Sequence, residues 1–385
     1  MCGIVGAVGQ RQVSRILLEG LKRLEYRGYD SAGIAIIDKK NKRINCVKKV
    51  GKVAELEKQL AASPVKGTIG ISHTRWATHG KPTENNAHPH LSSNSIALVH
   101  NGIIENHNEL RSELKTAGYE FLSDTDTEVI AHLIHQQCEN NGNDLTEAVK
   151  MVVARLEGAY GLAVICREQP DRILVARSGS PLIIGLGIGE NFIASDPSAL
   201  GRVTDRFIYL EEGDIAEITS ETVSIWNQGQ EVQRAKVHIA QDFSESDKSG
   251  FRHFMLKEIY EQKAAIANTL AGRISKTRVL EQAFGIDANT IFDRTKNVQI
   301  VACGTSYHAG MIAKFWFENI ARMPCAVDIA SEYRYRKVLV PDNCLYVSIS
   351  QSGETADTLA AQRFASEAGY VGCLAICNVA NSSLV

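Results

Sequence analysis

The chain opens Met1-Cys2-Gly3-Ile4-Val5-Gly6-Ala7-Val8. Ile4 to Val8 reads as a short strand of small and β-branched residues, and it places a cysteine at its very start. Removal of Met1 would leave Cys2 with a thiol and a free α-amine on one residue. The thiol is a nucleophile, and an α-amine titrating near pH ~8 can serve as its base. Cysteine is also a common small core residue, so the rest of the chain has to choose between the two readings.

Outward from that strand, roughly the first 240 residues read as many short β-runs with a few helices between them. Val13, Ile16, Leu17, Leu21 and Leu24 fall on one helical face. Ile34 to Ile37, Thr68 to Ser72, Ile96 to Val99, Leu162 to Cys166, Ile173 to Ala176, Leu182 to Ile184, Phe207 to Leu210 and Ile215 to Ile218 are strand-like. Asn106 to Thr116 reads as helix, and Asp124-Thr125-Asp126-Thr127 supplies caps for another that buries Val129, Ile130, Leu133 and Ile134. Short turns between strands predict antiparallel sheets flanked by helices. Residues 241–250 are polar and read as a linker, followed by an amphipathic helix from about His253 to Leu270. From Val298 the texture changes to alternating strand and helix, the signature of a parallel sheet with crossover helices. The chain stops at Val385 directly after the fourth such strand, so this last region reads as an interrupted domain.

The bulk numbers bound the function. At 385 residues, 44% apolar and 22% charged, the chain has material for roughly two or three domains with their own cores. A formal net charge of −2 argues against a nucleic-acid partner. No run approaches the ~18 apolar residues of a membrane span, and the amino terminus lacks the basic region of a signal peptide, so a cytoplasmic protein is expected. The nine cysteines are scattered, and the spacing of Cys373 and Cys377 has no histidine beside it. Neither a disulfide framework nor a metal site is expected.

Four segments of the first half are dense in polar residues: residues 27–31, residues 73–80, His100-Asn101-Gly102, and residues 123–128. Each alone passes for a satisfied surface loop, hairpin turn or capped helix. Together they supply what acyl transfer from an amide requires. Cys2 attacks, and the Asn101 side chain with the Gly102 N–H offers two donors to an oxyanion. Gly102 lets the backbone turn toward substrate. Arg75 can grip a carboxylate with two prongs and Asp126 can pair with an α-ammonium.

The segments Met1 to Gly6, Tyr26-Arg27-Gly28-Tyr29-Asp30-Ser31-Ala32-Gly33, His73-Thr74-Arg75-Trp76-Ala77-Thr78-His79-Gly80 and His100 to Asn106 resemble the class II glutamine amidotransferases. These are N-terminal-nucleophile (Ntn) hydrolases with a four-layer αββα fold. The resemblance implies an α+β domain over residues 2–240 with Cys2 as nucleophile and Asn101 and Gly102 as oxyanion hole. It implies a glutamine site from Arg75, Trp76, Thr78, His79 and Asp126, with Trp76 on a mobile loop that closes over glutamine.

In the second half, Cys303-Gly304-Thr305-Ser306 and Ser348 to Thr355 each lie between a strand and a helix. Unpaired N–H groups at helix starts, with serine and threonine hydroxyls, suit a phosphate. The same groups also serve in ordinary capping. There is no Walker A sequence, and no GxGxxG follows a strand, so no nucleotide-derived cofactor is expected. This half resembles the sugar isomerase (SIS) phosphosugar-binding domain. The likeness implies a partial α/β domain with a parallel sheet over residues 296–385, reached through connecting helices over 241–295. It implies that Thr305, Ser306, Ser350, Gln351, Ser352 and Thr355 hold a sugar phosphate. Lys263 stands where such chains usually carry proline. The two halves together imply glutamine and fructose 6-phosphate as substrates, glucosamine 6-phosphate and glutamate as products, and a homodimer. The later residues of sugar chemistry would lie beyond Val385, so ammonia release alone is expected of these residues. Other class II amidotransferases would need a pyrophosphate-binding acidic motif or an adenylating P-loop downstream. A sugar-sensing regulator would need a helix-turn-helix, and its usual place is taken by the Cys2 segment.

Overall fold

The computed structural model describes residues 2–25, 29–75, 81–238, 251–275, 277–285, 287–379 and 382–384. The chain divides into two compact units, Met1–Gly250 and Phe251–Val385. The expected linker over 241–250 lies outside the described residues.

The first unit contains strands β1 (Gly3–Val8), β2 (Ser31–Asp38), β3 (Arg43–Val50), β4 (Ile69–Arg75), β5 (His90–Ser92), β6 (Ile96–Ile104), β7 (Gly158–Cys166) and β8 (Gln169–Ser178). It continues with β9 (Ile183–Leu186), β10 (Asn191–Ala194), β11 (Arg206–Tyr209), β12 (Asp214–Thr219), β13 (Val223–Asn227), β14 (Gln230–Val232) and β15 (Lys236–His238). Its helices are α1 (Ser14–Leu24), α2 (Val53–Ala62), α3 (His107–Thr116), α4 (Thr127–Asn140) and α5 (Leu145–Val153). Eight strands form one sheet in the order β15-β11-β9-β10-β1-β4-β2-β3, and seven form a second in the order β14-β13-β12-β8-β7-β6-β5. The strand pairs in both are antiparallel.

Strand alternation builds the layers. Along β1, Ile4 and Val8 enter the apolar layer between the sheets with Ile69 and Ile71 of β4 and Ala97 and Val99 of β6. Val5 and Ala7 point the other way, onto Leu17, Leu21 and Leu24 of α1 and Val53 and Leu56 of α2. On the outer face of the second sheet, Ile96 and Leu98 pack under α3, α4 and α5. The result is a four-layer αββα sandwich.

Two strands run further than the hydrophobic pattern indicates. β4 continues through His73, Thr74 and Arg75, and β6 through His100, Asn101 and Gly102. These residues, expected on loops after strands, are on the strands, paired with β2 and β7. Backbone pairing continues there because hydrogen-bonded polar side chains replace apolar ones inside.

The second unit holds α6 (Phe254–Leu270), α7 (Ala288–Arg294), β16 (Asn297–Ala302), α8 (Gly304–Asn319), β17 (Cys325–Ile329), α9 (Ala330–Tyr333), β18 (Cys344–Ser350), α10 (Ala356–Glu367) and β19 (Gly372–Cys377). Its four strands pair in parallel in the order β17-β16-β18-β19. α8 starts three residues before the expected Tyr307, so Thr305 and Ser306 occupy its first turn. The expected amphipathic helix is α6, although Met255, Ile259 and Ile266 on it are exposed.

Leu21 is fully buried between α1 and the first sheet. Leu21→Ala is expected to remove about 2–5 kcal/mol of unfolding free energy through lost burial and a cavity. Urea denaturation followed by circular dichroism measures it, and a loss below about 1 kcal/mol would contradict the packing described.

Candidate active site

The first unit gathers its polar residues where the start of β1, the ends of β4 and β6, and the start of α4 meet. Cys2 is half-buried at the head of the central strand β1. Ser195 clamps that head, since Ile4 N–H donates to its Oγ at 3.0 Å and its own N–H donates to the Ile4 carbonyl at 3.1 Å. A Cβ at Gly3 would lie 2.7 Å from both Leu24 Cδ1 and Thr74 Oγ1, so the residue after the cysteine has no room for a side chain.

Asn101 comes to Cys2 from the facing sheet. Its Nδ2 donates to the Cys2 carbonyl at 3.3 Å, and its Oδ1 lies 3.0 Å from His73 Nε2. Gly102 follows with φ +136°, and a Cβ there would fall 1.9 Å from the Ala159 carbonyl oxygen. Only glycine fits this backbone.

Arg75 ends β4, is buried, and points into the same region as His73, two residues before it. Its carbonyl accepts from Asp30 N–H at 2.7 Å, and its Nη1 is 3.8 Å from Asp30 Oδ1 and 3.5 Å from the Lys81 carbonyl. Ser31 Oγ donates to Asp30 Oδ1 at 2.8 Å and so fixes that carboxylate.

Asp126 stands at the N-cap position of α4, but its side chain makes no capping bond. Its Oδ2 accepts instead from the Ile104 N–H of β6 at 2.9 Å, with His100 Nδ1 3.9 Å away. The carboxylate therefore ties helix to sheet, and the capping expected of residues 124–127 is not its role. Trp76, Thr78 and His79, expected to face glutamine, lie outside the described residues, as do Tyr26 to Gly28.

The structure adds a group of histidines that the sequence reading left without roles. His73 stacks on His88 at 4.2 Å between ring centroids, and His88 meets His90 edge-on at 4.8 Å. Burial pushes His73 down to about 3, and the hydrogen bond with Asn101 only partly opposes it. Burial likewise carries His88 and His90 well below the usual imidazole range. All three rings are uncharged at neutral pH. Beside them, burial would raise Glu128, but His132 at 3.7 Å and hydrogen bonds from the Leu122 N–H and Ser123 outweigh it and hold the carboxyl at about 2. The only signal for this group in sequence is the density of His around 73–100, and spacing does not show which rings touch.

In the second unit, the loops after β16 and β18 leave the carboxyl ends of adjacent strands. The chain then goes to β17 on one side and β19 on the other, so the crevice between them is a topological switch point, where open α/β sheets bind ligands. It brings Thr305 and Ser306 on one side near the Ser350–Thr355 loop on the other. Cys303 at the start of α8 and Thr355 at the start of α10 make no side-chain capping bond. Ser350 Oγ accepts from Gly353 N–H at 3.0 Å and Ser352 Oγ from Glu354 N–H at 3.2 Å, bonds that shape the loop and leave the first turn of α10 uncapped. Gln351 is exposed beside them.

A glutamine amidotransferase domain family matches residues 73–202, and the SIS domain family matches residues 291–385. The chain is 62% identical over 386 aligned residues to the glutamine–fructose-6-phosphate aminotransferase (isomerizing) of Pseudomonas putida and 60% identical to that of Pseudomonas aeruginosa. All of this chain aligns, and it spans 63% of the length of those relatives. Among solved structures, the glutamine phosphoribosylpyrophosphate amidotransferase of B. subtilis matches 98% of this chain and 81% of its own, with TM-score 0.53 and 22% identity, a likeness of fold alone. Among the described residues no helix is long and apolar enough to cross a membrane.

The buried histidines set an acid limit on stability. Unfolded imidazoles take up protons near the ordinary value of 6.5, whereas folded His73 resists until about 3. The unfolded state binds more protons in between, so this stability is fully present above pH ~6.5 and declines as pH falls toward the folded value. Glu128 adds a lower window, its contribution present above 4.5 and lost as pH falls toward about 2. The urea midpoint is expected to be level from pH ~8 to ~6.5 and to drop steadily below. A midpoint unchanged down to pH ~4 would contradict burial of neutral rings.

Proposed function

This chain belongs to the glutamine–fructose-6-phosphate aminotransferase (isomerizing) family over the portion of those proteins that it spans, and we propose that its first unit hydrolyses glutamine at Cys2. The observation that carries the reading is the Asn101 Nδ2 aimed at Cys2 beside Gly102, whose backbone only glycine fits. With Met1 removed, the Cys2 α-amine takes the thiol proton. The sulfur then bonds to the side-chain carbonyl carbon of glutamine. Asn101 Nδ2 and the Gly102 N–H receive the oxyanion. Collapse breaks the C–N bond, the α-ammonium returns its proton to the leaving nitrogen, and ammonia departs. Water then cleaves the thioester to give glutamate and restore the thiol. Arg75 takes the substrate α-carboxylate and Asp126 its α-ammonium, and Trp76, Thr78 and His79 complete the glutamine pocket.

The proposal extends to the whole enzyme: the ammonia is used on fructose 6-phosphate to give glucosamine 6-phosphate. Thr305, Ser306, Ser350, Gln351, Ser352 and Thr355 hold its phosphate, by way of uncapped helix starts at the switch point. Residues 2–240 are taken as the glutaminase domain, 241–295 as the connection and 296–385 as the phosphosugar domain. A homodimer in the cytoplasm completes the reading, on family likeness. Residues 1–385 alone are proposed to stop at glutamine hydrolysis, because the relatives are longer by more than a third of their own length. Formation of glucosamine 6-phosphate by those residues alone would overturn that part.

Cys2→Ala is expected to abolish ammonia release while leaving the circular dichroism spectrum unchanged; wild-type turnover would refute the nucleophile. Intact mass after alkylation checks the premise, since retained Met1 rules out the terminal amine as base. Arg75→Lys keeps the charge and loses the fork. It is expected to raise the glutamine KM by about ten-fold, from ~1.4 kcal/mol of lost binding, with little change in kcat. An unchanged KM would remove Arg75 from the carboxylate site.

A further inference from the structure

We infer that His73 is a positioning residue for glutamine hydrolysis: by donating from Nε2 to Asn101 Oδ1, it fixes which end of the Asn101 amide faces Cys2. The inference rests on the reading of Cys2 and Asn101 given above and adds a residue to it.

The argument is one of donors and acceptors. The two ends of a carboxamide are opposite in kind, since Nδ2 only donates and Oδ1 only accepts. One end of the Asn101 amide meets the Cys2 backbone carbonyl at 3.3 Å. A carbonyl oxygen only accepts, so that end must be Nδ2. The other end is therefore Oδ1, and it lies 3.0 Å from His73 Nε2. That nitrogen must carry a proton. Because burial keeps the ring uncharged, the proton on Nε2 is its only one and Nδ1 is bare. Nδ1 has no hydrogen-bond partner among the described residues, which suits a lone pair better than an N–H. The network thus selects one tautomer of His73.

The other tautomer would reverse the site. With the proton on Nδ1, Nε2 becomes an acceptor and draws Nδ2 toward itself. Oδ1 then turns to Cys2, and an acceptor stands where an oxyanion must form. His73 therefore controls the polarity of the Asn101 donor without touching substrate.

The fold is built to hold this ring. His73 lies on β4 opposite Ile4 of β1 and Gly33 of β2, in the interior of the first sheet. A Cβ at Gly33 would fall 2.1 Å from the His88 carbonyl oxygen, so glycine there permits the approach of the segment whose imidazole stacks on His73. The bond to Asn101 then crosses from the first sheet to the second.

The test uses the full chain with Met1 removed and compares His73→Leu with His73→Gln. Removing one oriented oxyanion donor costs roughly 10²–10³ in kcat. His73→Leu is expected to lower kcat for ammonia release by about 10²-fold, with the glutamine KM within about three-fold. His73→Gln, which keeps an N–H donor, is expected to recover about ten-fold or more of that loss. The aldehyde analogue of glutamine, which forms a tetrahedral adduct with the thiol, should bind the leucine variant more weakly in parallel with kcat. Glutamate binding and the rate of Cys2 alkylation by iodoacetamide should not change. Wild-type kcat in His73→Leu, or equal losses in both variants with slower Cys2 alkylation, would overturn the inference. Should neither variant fold, long-range ¹H–¹⁵N spectra of the unaltered chain read the tautomer directly. A proton on Nε2 alone at pH ~7 is expected, and Nδ1–H or an imidazolium would overturn the assignment. Turnover that survives Cys2→Ala would instead sink the nucleophile reading, whatever the tautomer.

Discussion

The apolar layer between the two antiparallel sheets is the constraint on which the amino-terminal unit depends. Ile4, Val8, Ile69 and Ile71 from one sheet meet Ala97, Val99, Ala163 and Val175 from the other. Strand alternation is rigid, so committing Ile69 and Ile71 to that layer also commits His73 and Arg75 to the same face. Likewise Ala97 and Val99 commit Asn101. A shift of one residue in either strand would turn these side chains into the helix layers. The candidate site is thus an extension of the hydrophobic register, and burial of isoleucines away from it aims the polar groups gathered there.

Placing so many polar groups at the end of a sealed layer requires that each be satisfied or uncharged. The structure uses both routes. Asp126 takes a backbone N–H from β6 and Glu128 takes two from the segment before α4, so both carboxylates find donors inside the protein. His73, His88 and His90 take the second route and give up their charge. A protonated ring beside Arg75 would place two cations in one low-dielectric pocket, and the arginine indeed contributes to holding His73 down. Keeping the rings neutral leaves Arg75 as the positive group at this end of β4, which is what the proposed carboxylate contact requires.

Much of this was legible in sequence, and the failures share a cause. Strand cores such as Ile34–Ile37 and Ile173–Ala176, and the face of α1, were readable because burial leaves a periodic trace. The strand ends were not. The hydrophobic pattern ends at Ser72 and Val99 because the following residues are polar, although their backbones stay in the sheet. β3 leaves no such pattern for a related reason, since Lys48 and Lys49 interrupt its alternation at the edge of the sheet. The candidate site was legible as a set of residue types, Cys2 with Asn101, Gly102, Arg75 and Asp126. Its geometry was not, because the contact between His73 and Asn101 joins different sheets and leaves no local spacing to read.

The carboxy-terminal unit shows the same division between register and chemistry in a different architecture. Its parallel strands fix where the loops emerge, with Ala302 of β16 level with Ile349 of β18. That pairing sets the turn at Gly304, with φ +57°, beside the turn at Gly353, with φ +67°. Serine and threonine hydroxyls in such loops could serve as caps, and sequence alone left that alternative open. The structure uses Ser350 and Ser352 to bond N–H groups within their own loop, so neither α8 nor α10 receives a side-chain cap. Uncapped donors at the starts of two helices of 16 and 12 residues carry the positive ends of both helix dipoles to the switch-point crevice. An anion can be held there by backbone N–H groups, so the phosphate site proposed at Thr305, Ser306, Ser352 and Thr355 needs no lysine or arginine among them.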